Sequence, residues 1–203
     1  MLYHEGVFYD RTKKIELNKD GLRVSSLPSV IKIPHASWSI IYPLLVTAFS
    51  TVQDLKPSLI VPLAPLHNQR IACEDNSSAF TCSFTKEGNI NFLKDKELFE
   101  GCRIKEEDCY FEEEAGIEIL YPFIEKTFPG IPVLPLFADN NSLNLDRIIK
   151  CLLNKTGQQV LFLLSSNNEC AKMWEKQFNI KWKLLASEKS KITHKVEIGI
   201  WND

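Results

Sequence analysis

The chain has little that would mark it for a membrane or for export. No apolar run approaches the roughly 20 residues that a membrane-spanning helix needs. The first ten residues, MLYHEGVFYD, contain neither the basic segment nor the apolar core of a secretory signal. Six cysteines occur in the chain, and no two of them form a CxxC pair. We therefore expect a cytoplasmic protein without a membrane span, in which most cysteines are reduced thiols.

An excess of charge of one sign is also missing. Lys and Arg number 24 against 26 Asp and Glu, which gives a formal net charge of -2, and no basic block stands out. Binding to a phosphate backbone needs a positive surface, so nucleic acid is not an expected partner. The hydrophobic fraction of 44% in 203 residues is ordinary for a globular protein. With no repeat and no linker in the sequence, we expect residues 1–203 to form a single domain.

Apolar runs alternate with helical patterns along the chain. Runs at 30–33, 58–63, 131–137 and 159–164 predict buried strands, and the helical patterns lie at 38–55, 112–128, 143–153 and 169–178. A hairpin is predicted over 79–92, and two further strands, expected at the edges of the sheet, over 182–186 and 195–201. Strands that are apolar throughout and alternate with helices indicate an α/β sheet with helices on both faces.

Polar residues of the kind that bind metals follow three of the predicted strands. His35 and His67 follow the first and second strands, and Glu169 and Cys170 follow the run at 159–164. In an α/β sheet such residues gather beyond the carboxyl ends of the strands. Two histidines with a carboxylate are the ligand set of a mononuclear non-haem Fe(II) centre, whereas two histidines with a thiolate favour copper or zinc. The pattern leaves open whether Glu169 or Cys170 is the third ligand.

Short blocks spread over most of the chain resemble the Memo-like family, which includes the AmmeMemoRadiSam system protein B. The blocks occur in the family's order. The first three are Gly6-Val7-Phe8-Tyr9-Asp10, which resembles GSFYP, Ile33-Pro34-His35-Ala36, which resembles PHA, and Ala64-Pro65-Leu66-His67-Asn68, which resembles GPSHH. The next are Glu113-Glu114-Ala115-Gly116-Ile117-Glu118 with Pro122-Phe123, which resembles EEHSIE and its PF, Ile131-Pro132-Val133-Leu134-Pro135, which resembles the following strand, and Ser165-Ser166-Asn167, which resembles SSD.

The resemblance implies a fold related to the class III extradiol dioxygenases, with a metal pocket at the strand ends. An ungapped placement puts Glu169 where those dioxygenases supply a carboxylate ligand. The metal implied is Fe(II) or copper, and the substrate is an unidentified small molecule. Glu114 is then a candidate catalytic residue, and Asn68 and Asn167 are candidates for orienting substrate or water beside the metal.

The departures from the family pattern bear on activity. The histidine of EEHSIE is Ala115 here, and an alanine can neither donate nor accept a proton. The histidine that commonly follows SSD is also absent, and Cys170 takes its place. These losses favour an alternative function, a catalytically inactive binding module that works beside a radical SAM protein or another partner of the AmmeMemoRadiSam type.

The long helix of the family between its first two motifs is shortened here to residues 12–29. We expect this to leave an apolar face exposed, and such a face is commonly covered by a second copy of the chain in a homodimer. An ordinary hydrolase finds little support, because the sequence contains no GxSxG, HExxH or P-loop motif.

Overall fold

The computed structural model describes residues 3–27, 29–66, 79–138, 142–157, 159–165, 172, 180–189 and 193–201. Its helices and strands follow one another in this order: β1 (Ser29–Ile33), α1 (Trp38–Val52), β2 (Leu59–Pro65), β3 (Ala79–Thr81), β4 (Lys86–Glu87), β5 (Ile90–Phe92), α2 (Lys96–Cys102), β6 (Ile104–Glu106), α3 (Cys109–Glu113), α4 (Ala115–Glu118), α5 (Tyr121–Thr127), β7 (Pro132–Val133), β8 (Leu136–Ala138), α6 (Ser142–Lys155), β9 (Val160–Ser165), β10 (Ile180–Lys189) and β11 (Thr193–Trp201). The helix predicted at 169–178 lies outside the described residues except at residue 172.

The strands of the described residues form one mixed sheet. Its main order is β10-β11-β1-β9-β2-β7-β5-β4, and β8 also pairs with β2 and leads to β3 and β6. β1, β9 and β2 are parallel neighbours, whereas β11 runs antiparallel to β1 and to β10. The expected edge position is therefore wrong for β11, which lies between two strands.

Helices cover both faces of this sheet, as the apolar strands predict. On one face, Ile31 and Ile60 pack in a core with Phe49 of α1 and Phe123 of α5. On the other face, neighbouring strand residues such as Val61 pack with residues of α2 and α6. Side chains of successive strand residues point to opposite faces, so strands that are apolar at every position need a layer on each side. The α/β architecture is thus present in the structure.

The first helix begins where the sequence indicates. The side chain of Ser37, the N-cap, accepts a hydrogen bond from the backbone N–H of Ser39, and α1 runs through Pro43 to Val52. Serine is a favoured cap because its oxygen satisfies one of the backbone donors left over at a helix start.

Three predicted elements are divided in the structure. The helix expected over 112–128 is α3, α4 and α5, because Glu114 has an extended backbone (φ -118°, ψ 110°) and Pro122 lies at the start of α5. The strand expected over 131–137 is β7 and β8, separated at Leu134 and Pro135. In the predicted hairpin only β4 and β5 pair with each other, whereas β3 pairs with β6 and β8.

The segment 12–29 is better covered than predicted. Four apolar side chains of this segment are partly buried and pack against the core that contains Phe49 of α1: Ile15, Leu17, Val24 and Leu27. Leu22 is 45% exposed. The expected exposed apolar face is therefore wrong for the greater part of this segment, and a homodimer stays a prediction without this support.

The cysteines differ in state. Cys102 at the end of α2 and Cys151 in α6 form a disulfide, whereas Cys82 and Cys109 are free. Cys102 and Cys151 are thus not reduced thiols, whereas Cys82 and Cys109 are, as expected for most of the cysteines. Cys73 and Cys170 lie outside the described residues. Among the helices that the structure describes, none is both long and apolar enough to cross a membrane.

Candidate functional site

Three neighbouring parallel strands end at nearly the same level. β9 lies between β1 and β2; its last residue, Ser165, pairs with Ile33 of β1, and Leu164 pairs with Leu63 of β2. Neighbouring strands are about 4.8 Å apart, so the ends of β1 and β2 lie roughly 10 Å from each other. The loops that hold the predicted ligands all leave from this one edge.

Most of the predicted site residues lie outside the described residues. These residues are His67 and Asn68, which follow β2 in the sequence, and Asn167, Glu169 and Cys170, which follow β9. His35 and Glu114 are described. The structure therefore brings together the strand ends that precede the predicted ligands, and the ligand set itself stays a prediction.

His35 lies two residues beyond β1, is partly buried, and packs against Gly116 of α4. A β-carbon built on Gly116 would lie 2.1 Å from Cε1 of the His35 ring, 2.6 Å from Nδ1 and 3.0 Å from Nε2. These three atoms form one edge of the imidazole. The part of the ring that carries both nitrogens is therefore the part closest to Gly116, a residue that has no side chain.

Gly116 is also bound to the end of β9. The Ser165 hydroxyl donates a 2.5 Å hydrogen bond to the backbone carbonyl of Gly116, and Ser165 is fully buried. The three segments that hold His35, Gly116 and Ser165 are far apart in sequence and meet here. They belong to three of the blocks singled out in the sequence.

The residues beside Gly116 offer little for proton transfer. Ala115 is 8% exposed and stands where the EEHSIE motif described above has its histidine. Glu114 is partly buried and its extended backbone joins α3 to α4. A catalytic role for Glu114 stays a prediction.

Glu118 is a buried carboxylate that the sequence reasoning assigned no role. It is 5% exposed and accepts hydrogen bonds from the backbone N–H groups of Tyr3 (3.0 Å) and His4 (2.9 Å) and from the Tyr9 hydroxyl (2.9 Å). Burial, followed by the charge of Glu118, raises the pKa of Tyr9 far above its ordinary value of 10.0. The sequence signal for this role is a single acidic residue between Ile117 and Ile119, because a charged side chain is seldom buried unless it has a hydrogen-bonding or charged partner.

His194 is a buried histidine near this edge, at 8% exposure. It belongs to β11, in which Glu197 pairs with Lys32 of β1. Because the two strands are antiparallel, His194 lies three residues beyond Glu197 in the direction of the carboxyl end of β1. The sequence offered no motif that would have singled it out.

No cluster of three or more His, Cys, Asp or Glu side chains suited to a metal ion occurs within the described part of the chain. This finding covers His35 but not the other predicted ligands.

Comparison with known proteins gives a distant relative. No family model matches the chain. A curated protein from Caldivirga maquilingensis, described as a MEMO1 family protein, is 28% identical over 122 residues. The match covers 57% of this chain and 42% of the relative, so less than half of the relative's length is matched.

Proposed function

We propose that the chain is a divergent Memo-like protein, built as one domain, with a redox metal pocket at the carboxyl edge of β1, β9 and β2. The observation that carries the proposal is the convergence of these three strand ends, with His35 beside them. The distant relative supports the family, and the order of the matched blocks supports it further. The reaction proposed is an oxidation of dioxygenase type on a small molecule.

The described residues fit a metal in one respect. His35 supplies an imidazole, a side chain that binds Fe(II) and copper, and its ring can pack directly against residue 116 because that residue has no side chain. His35 and His67 would hold Fe(II) together with Glu169, or copper together with Cys170. When bound, such a metal supplies redox and Lewis-acid chemistry at its open positions. Asn68 and Asn167 would orient the substrate, and Glu114 would stand near it.

A second function is favoured by Ala115. Its methyl group is buried at the position where related dioxygenases are expected to have their acid and base. A chain that kept the fold but lost proton transfer would serve as a binding module, beside a radical SAM protein or in a homodimer.

Metal content separates the two functions. The protein is purified anaerobically without chelators, reconstituted with Fe(II) or copper, and its iron, copper and zinc are quantified. Near-stoichiometric iron or copper that is lost in both His35→Ala and His67→Ala supports the redox pocket. His4→Ala is the matched control, because His4 lies in the N-terminal segment and should leave the metal content unchanged. The parallel variants Glu169→Ala and Cys170→Ala identify the third ligand.

Absence of iron and copper after reconstitution rejects the redox pocket and leaves the binding module. Metal that persists at the parental level in His35→Ala and His67→Ala also rejects it, since the metal would then lie elsewhere.

A further inference from the structure

The backbone conformation of Gly116 does not explain why this position is a glycine. Glycine is often required where φ is positive, but Gly116 is not among the positive-φ glycines and lies within α4. Alanine is the better helix former at such a position by roughly 1 kcal/mol. The reason lies in the space around it, which the His35 ring occupies.

We propose that Gly116 is a positioning residue for His35, and this inference rests on the proposed metal function. Its bare α-carbon gives the imidazole room to lie with Cε1 and both ring nitrogens close to α4. Any residue with a β-carbon at 116 would place that atom 2.1 Å from Cε1, which neither group tolerates. The size of residue 116 thereby decides where the His35 nitrogens point.

Ser165 fixes Gly116 in turn. Its hydroxyl is bound to the Gly116 carbonyl at 2.5 Å, and Ser165 itself ends β9 in register with Ile33 of β1. Two connections contribute to this geometry: the chain from Ile33 to His35, and the hydrogen bond from Ser165 to Gly116. The ring is located relative to the strand ends through both.

The ring, and not the backbone, is the part that should yield in Gly116→Ala. The three closest atoms all belong to the end of a side chain with two rotatable bonds. Rotation of His35 relieves the overlap, whereas α4 accepts alanine without strain. The variant should therefore fold with a displaced imidazole. Gly101→Ala is the matched control, because a β-carbon on Gly101 meets only Lys155 atoms at 3.6 and 3.7 Å.

The test measures the imidazole directly by NMR in metal-free protein. The His35 ring resonances are assigned by their loss in His35→Ala. We expect them to shift in Gly116→Ala and to keep their parental positions in Gly101→Ala, with the His4 ring resonances unchanged in both. Titration with Fe(II) alone and with Cu(I) alone, under anaerobic conditions, should show about 10–100-fold weaker binding by Gly116→Ala, the usual cost of losing an outer support of a metal ligand.

A double-mutant cycle isolates the contact between the two residues. Gly116→Ala should lower the stability or change the spectra of the metal-free protein only while the His35 ring is present. In the His35→Ala background, the Gly116→Ala substitution should therefore have little effect on either. If Gly116→Ala does not fold, Ser165→Ala replaces it, because loss of the hydroxyl frees the Gly116 carbonyl and should shift the same ring resonances.

Unchanged His35 resonances in a folded Gly116→Ala, or in Ser165→Ala where it replaces that variant, overturn the inference. If the parent binds neither metal, the proposed function fails, and the NMR comparison still decides whether Gly116 positions the ring.

Discussion

The Tyr9 hydroxyl donates a 2.9 Å hydrogen bond to the carboxylate of Glu118, across 109 residues of sequence. The same carboxylate accepts the backbone N–H groups of Tyr3 and His4. One buried charge therefore fastens the N-terminal segment to α4, the helix that also contains Gly116. Bonds to a charged acceptor are stronger than neutral ones, which makes this contact a principal support of the segment.

Tyr9→Phe should lower the free energy of unfolding by about 1.5–3 kcal/mol, the range for a hydrogen bond to a charged group. Tyr9 and Glu118 are both almost fully buried, so water cannot replace the lost donor. Urea unfolding at neutral pH measures the change. Tyr3→Phe is the matched control, because the Tyr3 hydroxyl makes an exposed 3.2 Å bond to Glu112, and it should cost less than about 0.5 kcal/mol. Equal stabilities of the two variants would contradict the role given to Glu118.

Cys82 should make the protein less stable in mildly alkaline solution. Burial raises the pKa of its thiol from 9.0 to about 12, and the thiol is 1% exposed. The unfolded thiol loses its proton near pH 9 while the folded one keeps it. The stabilisation is therefore complete below pH 9 and declines as the pH rises from 9 towards 12, with a limiting slope of about 1.4 kcal/mol per pH unit.

Cys82→Ala should remove this part of the slope. Urea unfolding of the parent and the variant at pH 7, 8, 9 and 10 gives the comparison, in a range that precedes most of the titration of tyrosine. Cys109→Ala is the control, since it removes the exposed free thiol of the described residues. Parallel stability curves for the parent and Cys82→Ala would show that the Cys82 thiol does not titrate differently in the folded state.

The sequence predicted those parts of the fold that depend on local patterns. β1, β2 and β9 coincide with the largely apolar runs of the sequence, and α1 begins at Trp38, so their bounds are nearly those expected. The inner position of β11 could not be foreseen, because its alternating polar residues are typical of an edge strand. In the structure Glu197 forms a salt bridge with Lys32 of β1, and this pairing allows Lys32 to be buried and Glu197 to be partly buried.

The candidate site was predictable only in part. The location of His35 after β1 follows from the strand pattern, but its contact with Gly116 depends on α4, which joins the site from a distant part of the chain. Periodicity could not reveal the extended backbone of Glu114, which separates α3 from α4 and sets the position of Gly116. Contacts of this kind arise from tertiary packing, which a local pattern does not contain.

Gly199→Ala should destabilise the sheet. Gly199 of β11 pairs with Val30 and Trp182, and an added β-carbon would lie 2.5 Å from Val30 Cγ1 and 2.7 Å from Ile180 Cγ2. Val30 is fully buried and branched at its β-carbon, so it cannot rotate away. Overpacking of this kind costs about 1–3 kcal/mol. Thermal and urea unfolding measure it beside Gly101→Ala, and no loss of stability would contradict the packing around β11.

The disulfide between Cys102 and Cys151 should contribute measurably to stability. It joins α2 to α6 across 49 residues, and both helices pack on the same face of the sheet. Closing a loop of this length in the unfolded chain corresponds to roughly 4 kcal/mol in the chain-entropy model, and measured values are commonly about 2–4 kcal/mol. Reductant should therefore lower the urea midpoint of the parent. The double variant Cys102→Ala/Cys151→Ala should have a low midpoint that reductant no longer changes. Mass spectrometry of an unreduced digest identifies the linked peptides directly. A parental midpoint that is insensitive to reductant, with no linked peptides in the digest, would restore the expectation of reduced thiols for this pair.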